Sequence, residues 1–209
     1  MDKFYYCIGF TAQILFFARF LIQWLLSEKT KHVVSPAIFW KLSLIASFLL
    51  FIYGFLRDDF AIILGQTITY YIYIWNLNNQ NNWKKFSVII RYMFILMPLV
   101  VITHMAINWN ETVHRLFMND DIPLILLLWG IIGQIVFTFR FIYQLIYSMK
   151  RKESSLPKGF WIISIIGASL IFSYGLFRHD PVLIIGQGFG FLIYSRNLFI
   201  IRKQAKDYE

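Results

Sequence analysis

Long apolar stretches run through this chain, and they leave it very few ways to fold. They read as Phe4–Leu26, Ala37–Leu56, Phe60–Leu77, Ser87–Ile107, Ile122–Tyr147, Phe160–Phe177 and Pro181–Ile200. Each approaches the ~20 residues that a helix needs to cross about 30 Å of hydrocarbon. Lipid offers no partner to a backbone N–H or C=O, so the stretches must be helices. Composition points the same way. Of the 209 residues 58% are hydrophobic, 20% aromatic and only 15% charged, against about 25% charged in a soluble domain. An ordinary soluble domain and a disordered chain both fit poorly. Cys7 is the single cysteine, so no intramolecular disulfide and no cysteine metal site can form. The first stretch is too long, and too polar at Gln13 and Arg19, for a cleaved signal peptide, and is expected to remain as a helix.

The net charge of +9 would suggest nucleic acid in a soluble protein. Here topology explains it better. Seven spans put the termini on opposite sides. Lys3, Arg57, Arg115 and Arg178 fall on one side, and most other Lys and Arg, including Lys84, Lys85, Lys150, Arg151 and Lys152, fall on the other. Basic residues collect in cytoplasmic loops. The N-terminus is therefore expected outside and the C-terminus in the cytoplasm, with no nucleic-acid partner.

The chain also repeats itself at a constant offset of 121 residues. Gly9, Gln13, Phe16, Arg19, Phe20, Gln23 and Ser27 return as Gly130, Gln134, Phe137, Arg140, Phe141, Gln144 and Ser148. Pro36, Phe39 and Trp40 return as Pro157, Phe160 and Trp161. Tyr53, Gly54, Arg57, Asp59, Gly65, Gln66, Tyr73, Asn76 and Leu77 return as Tyr174, Gly175, Arg178, Asp180, Gly186, Gln187, Tyr194, Asn197 and Leu198. Roughly 40% of positions 9–77 are identical without a gap, a strong repeat signal. Polar letters match, which two merely apolar segments would not produce by chance. Three spans per repeat and one between them predict an all-α membrane protein of seven helices in a 3+1+3 order. The single span restores the orientation of the second repeat, so the repeats are parallel about an axis along the membrane normal. The expected division is 1–80 and 122–200 for the repeats, 81–121 for the linker with the fourth span, and 201–209 for a charged tail.

The pattern Gln-x-x-Phe-x-x-Arg-Phe-x-x-Gln, followed by Pro-x-x-Phe-Trp, Tyr-Gly, Arg-x-Asp, Gly-Gln and Tyr-x-x-Asn, resembles the lipid-A biosynthesis N-terminal domain in two copies. That family is similar at a distance to the SWEET and PQ-loop transporters, which share the 3+1+3 order. There is no Pro-Gln dipeptide; Gly65-Gln66 and Gly186-Gln187 stand in the third span of each repeat. The resemblance implies a bacterial inner-membrane protein linked to lipid-bound sugars. It does not bring synthase activity with it, since a chain of this length has no room for a glycosyltransferase body, and a protein that is not an enzyme is expected.

Polar residues inside the spans are the candidate site. At 100° per residue Gln13, Arg19, Gln23 and Ser27 share one helix face, and Gln134, Arg140, Gln144 and Ser148 repeat it. Gln66, Tyr73 and Asn76, with Gln187, Tyr194 and Asn197, make a similar pair of faces. An arginine at mid-helix costs roughly 2.5–3.5 kcal/mol on insertion and faces protein or water. Two at equal depth among amides suit an anion, because the guanidinium fork matches phosphate. The same residues also suit plain interhelical hydrogen bonding. Trp40 and Trp161 are read equally as interfacial anchors or as cavity wall. Arg57–Asp59 and Arg178–Asp180 are expected as ion pairs within the external turns, and Gly65 and Gly186 as points of close packing. His32, His104, His114 and His179 show no metal-ligand spacing, and no catalytic group, metal or cofactor is expected. The leading function is a transporter or flippase for a lipid-linked saccharide. The alternatives are a membrane subunit that anchors a glycosyltransferase and a SWEET-type carrier of small sugars. The expected partners are the lipid-linked saccharide, the membrane and a possible glycosyltransferase.

Overall fold

A computed structural model describes residues 2–31, 33–117 and 123–207. The described residues fold into helices and connecting turns, with no strand. They are α1 (Asp2–Thr30), α2 (Ala37–Leu56), α3 (Phe60–Asn79), α4 (Val88–Ile107), α5 (Trp109–Phe117), α6 (Leu124–Arg151), α7 (Lys158–Phe177) and α8 (Pro181–Asp207). The expected spans coincide with these helices, apart from extended ends on α1, α6 and α8. The short α5 was not expected; it stands in the linker. His32 and Ile122, where the fifth span was expected to begin, lie outside the described residues, as do the side chains of Lys3, His114 and Arg115.

Local chemistry places the helix ends. Asp59 accepts a hydrogen bond from the Ile62 amide at 3.1 Å, and Asp180 from those of Val182 and Leu183 at 2.9 and 3.2 Å. Both satisfy orphan N–H groups at a helix start. Ser87 does the same for α4 through the Ile90 amide. Pro36 and Pro157, extended at φ −71°, precede α2 and α7. The turns repeat in backbone form even where the letters differ. Lys31 and Lys152 are left-handed at φ 58° and 56°, and so are Asp58 and His179 at 52° and 48°.

Helices α1–α3 pack as one bundle and α6–α8 as another, meeting along α3 with α6 and α1 with α8. Helix α4 lies outside both, touching the first bundle through Phe94 beside Phe48 and Tyr70, and through Met97, Val101 and Met105 beside Phe51 and Ile63. Much of its remaining surface is exposed and apolar.

Six helices, α1, α2, α4, α6, α7 and α8, are long and apolar enough to cross a membrane. Among the described residues the third expected span, α3, is not one of these six. This helix is 20 residues long but carries Gln66, Thr69, Tyr70, Tyr73 and Asn76, all buried. All but the Tyr70 hydroxyl find hydrogen-bond partners within the protein, and these polar residues make the helix less apolar than the others.

Close helix approach is concentrated at glycines. A Cβ on Gly167 would meet the Phe137 backbone at 2.6 Å, whereas one on Gly188 would find only Phe172 at 3.9 Å. Backbone cannot step aside as a side-chain tip can. Gly167→Ala is therefore expected to destabilise by about 1–3 kcal/mol. Gly188→Ala should be neutral or stabilising by up to ~1 kcal/mol through helix propensity. Thermal unfolding of both variants in detergent checks the contrast.

Candidate functional site

Between the two bundles lies a cavity of about 360 Å³. Its wall holds Arg19, Arg140, Gln13, Gln134, Gln66, Gln187, Tyr73 and Tyr194, together with Thr69 and a set of phenylalanines. Arg19 and Arg140 are each only 2% exposed. One Arg19 terminal nitrogen donates to the Ser43 hydroxyl at 2.6 Å and to the Tyr73 hydroxyl at 3.4 Å. Arg140 donates to the Tyr194 hydroxyl at 3.2 Å. Among the described residues neither pairs with a carboxylate, and the Nε atoms of both have no hydrogen-bond partner. The Gln187 Oε1 is also buried and unpartnered.

Aromatic rings take the place of a counter-ion. The Arg19 guanidinium carbon lies 4.4 Å from the Phe16 ring centre and 4.6 Å from that of Phe20. That of Arg140 lies 3.3 Å from Phe137 and 4.6 Å from Phe141. Arg19 is also 5.8 Å from the Phe141 ring, so both guanidiniums share that wall. Cation–π contacts hold a desolvated cation without neutralising it. The charge thus stays available to an anion.

The structure separates the remaining sequence candidates from the cavity. Gln23 donates to Asn197 at 3.0 Å, and Gln144 exchanges hydrogen bonds with Asn76 at 3.0 and 3.3 Å. Ser27 and Ser148 accept from Gln23 and Gln144 at 2.9 Å each. These residues make an amide layer beyond the arginines, in which the Gln23 Oε1 has no hydrogen-bond partner. Trp40 and Trp161 are fully buried within the aromatic cluster around Phe20 and Phe141. The Trp40 indole donates to Ser35 and Ser154, and neither Trp lines the cavity or sits at the surface as an anchor.

At the opposite end the ion pairs cross between repeats, which corrects the expectation of pairs within each turn. Arg57 meets Asp180 at 3.2 Å, and Arg178 approaches Asp59 at 4.0 Å. The Tyr53 hydroxyl donates to Asp180 and the Tyr174 hydroxyl to Asp59, both at 2.8 Å. Burial pushes the Asp59 carboxyl above the usual carboxylate range, against the opposing pull of Tyr174 and the Ile62 amide. Each carboxylate is turned inward by its own capping bond, and the arginine of the other repeat reaches it. Sequence spacing alone held no signal for the exchange. The contacts across the seam recur with the repeats exchanged, as a two-fold relation requires. Gly65 and Gly186 belong to the same set: a Cβ on either would fall on the Gln134 or Gln13 carboxamide of the other repeat.

The model of the Lipid A Biosynthesis N-terminal domain matches residues 8–78 and 129–199. The chain belongs to this family. It is 31% identical over 210 residues to the lipid-A-disaccharide synthase of Chlamydia felis and 32% identical over 213 residues to that of Chlamydia caviae. The synthase of Chlamydia pneumoniae is 28% identical over 205 residues. Each match takes in 96% of this chain but 34% of the relative, so the chain spans about a third of their length. No solved structure matches. The expectation that the protein is not an enzyme is corrected, because these relatives are named for an enzyme. That expectation rested on the length of this chain as well as on its side chains, and the relatives that carry the enzyme's name match it over 96% of its length. Family membership and apolar helices set the chain in lipid A biosynthesis, as a membrane-helical protein.

Proposed function

We propose that this member of the family takes the anionic headgroup of a lipid-linked saccharide into the cavity between its bundles and carries it across the bacterial inner membrane. The observation behind this is the pair Arg19 and Arg140: buried, on the cavity wall, without a carboxylate among the described residues, and each with a free Nε. Phosphate supplies the missing charge, and the guanidinium fork matches its oxygens. Gln13, Gln134, Gln66 and Gln187 then meet the phosphate or the sugar hydroxyls, with Tyr73 and Tyr194 beside the arginines. Gln23, Gln144, Asn76 and Asn197 close the layer beneath, and Trp40 and Trp161 support it from the aromatic cluster.

In this reading α3 crosses the membrane as a seventh helix, shielded by its bundle. Repeats 1–80 and 122–200 stand parallel on either side of an axis along the membrane normal, α4 in segment 81–121 restores the direction, and 201–209 forms the cytoplasmic tail. The amide layer then faces the cytoplasm and the Arg57–Asp180 pair the outside. Labelling of single cysteines at Lys84 and Lys152, in a Cys7→Ser background, tests this. Both should react from the cytoplasmic side, and labelling of both from outside overturns the orientation.

A second reading has its own support. Relatives matched over 96% of this chain are lipid-A-disaccharide synthases three times as long. A module that binds the lipid-linked sugar and presents it to a glycosyltransferase fits that relation. The two readings differ in one measurement: movement of a fluorescent phosphate-headed lipid between leaflets of proteoliposomes is expected for the carrier and absent for the presenting module.

A further inference from the structure

The cavity wall is not symmetric, although the fold is. Its inner part follows the repeat: Arg19 with Arg140, Gln13 with Gln134, Phe16 with Phe137, and so on through Tyr73 with Tyr194. Every wall residue without its repeat counterpart on the wall belongs to α1 or α8. Among these, Ile14, Phe17, Ile185 and Phe189 also reach the outer surface, at 65, 38, 43 and 50% exposure. At the other seam Thr138 occupies the place of Phe17, is 2% exposed and does not line the cavity. The cavity therefore extends sideways between α1 and α8, where the rings of Phe17 and Phe189 stand 5.1 Å apart.

We infer that this seam is a lateral portal for a hydrocarbon chain. A lipid would lodge its phosphate at Arg19 and Arg140 and lead an acyl chain out past Phe17 and Phe189 into the bilayer. The inference rests on the phosphate-headgroup reading of the same cavity and adds the tail to it. A free sugar phosphate has no use for an apolar opening toward lipid. An amphiphile needs both ends of this wall: two unneutralised cations within, and an apolar exit facing hydrocarbon. The phenylalanines move apart or close by rotamer changes, which demand no shift of the helix backbone.

The probe is phosphatidic acid bearing a diazirine on its acyl chain, added to the full chain in phosphatidylcholine nanodiscs. Cross-links should map several-fold more to α1 and α8 around 14–17 and 185–189 than to the matching positions 135–138 and 64–68. Arg19→Gln with Arg140→Gln should remove this preference without changing labelling of α4. A disulfide between Phe17→Cys and Phe189→Cys in a Cys7→Ser background should block phosphatidic acid, reversibly on reduction, and leave inorganic phosphate binding intact. Equal labelling of both seams with binding that still depends on the arginines overturns the portal and keeps the headgroup site. Inorganic phosphate binding as tightly as phosphatidic acid does the same, since the tail then adds nothing. Seam labelling that ignores the arginine exchanges marks surrounding bilayer lipid and overturns both.

Discussion

Arg19→Gln and Arg140→Gln should each weaken binding of a phosphate-headed lipid roughly ten- to hundredfold, while the protein still inserts and purifies. Loss of one charge-assisted hydrogen-bonded contact is worth about 1.5–3 kcal/mol, and 1.4 kcal/mol is a factor of ten. Glutamine keeps a donor toward Ser43, Tyr73 or Tyr194, the polar partners of the two arginines among the described residues. It also removes a buried charge without an acidic partner, so folding should not suffer. Arg→Lys should be impaired too, because an ammonium cannot reproduce the fork. The measurement is titration of phosphatidic acid into each variant in nanodiscs. Unchanged affinity in both Gln variants removes the site assignment. Loss of folding in both would make the arginines interhelical ties instead.

The second large effect belongs to the crossed ion pairs. Asp180→Ala deletes the partner of Arg57, the acceptor of the Tyr53 hydroxyl and the cap of α8 in one step. Breaking a buried pair by removing one partner costs about 3–5 kcal/mol, and losing a cap about 1 kcal/mol more. A drop of that size should be visible in thermal unfolding in detergent. Adding Arg57→Ala should restore part of the loss, since the remaining cation is no longer left alone. A double variant as unstable as the sum of the single ones would show that the pair does not interact.

Helix positions were legible in the sequence because their causes are local. Apolar length, the Asp59, Asp180 and Ser87 caps, and the prolines at 36 and 157 act within a few residues of the ends they set. The 121-residue offset carried the equivalence of Arg19 with Arg140 and of Gln66 with Gln187, because a repeat copies letters along with structure. It did not reveal what these residues touch. Gln13 and Gln23 share a face of α1, yet ten residues of helix rise separate them by about 15 Å. One meets the cavity and the other Asn197. Periodicity reports the angle around a helix and is silent about what stands opposite at each depth.

The sequence by itself thus determined a helical membrane chain built twice over, with arginines and amides turned inward. The tertiary structure decided which of those groups remain open to a ligand and which satisfy one another. It also turned Arg57 toward Asp180 rather than the nearby Asp59, and extended the cavity wall along α1 and α8 beyond what the repeat supplies at α3 and α6. Those outcomes depend on how two separately legible bundles dock, and the hydrogen-bond partner of a side chain across that seam lies at least 68 residues away in sequence among the described residues.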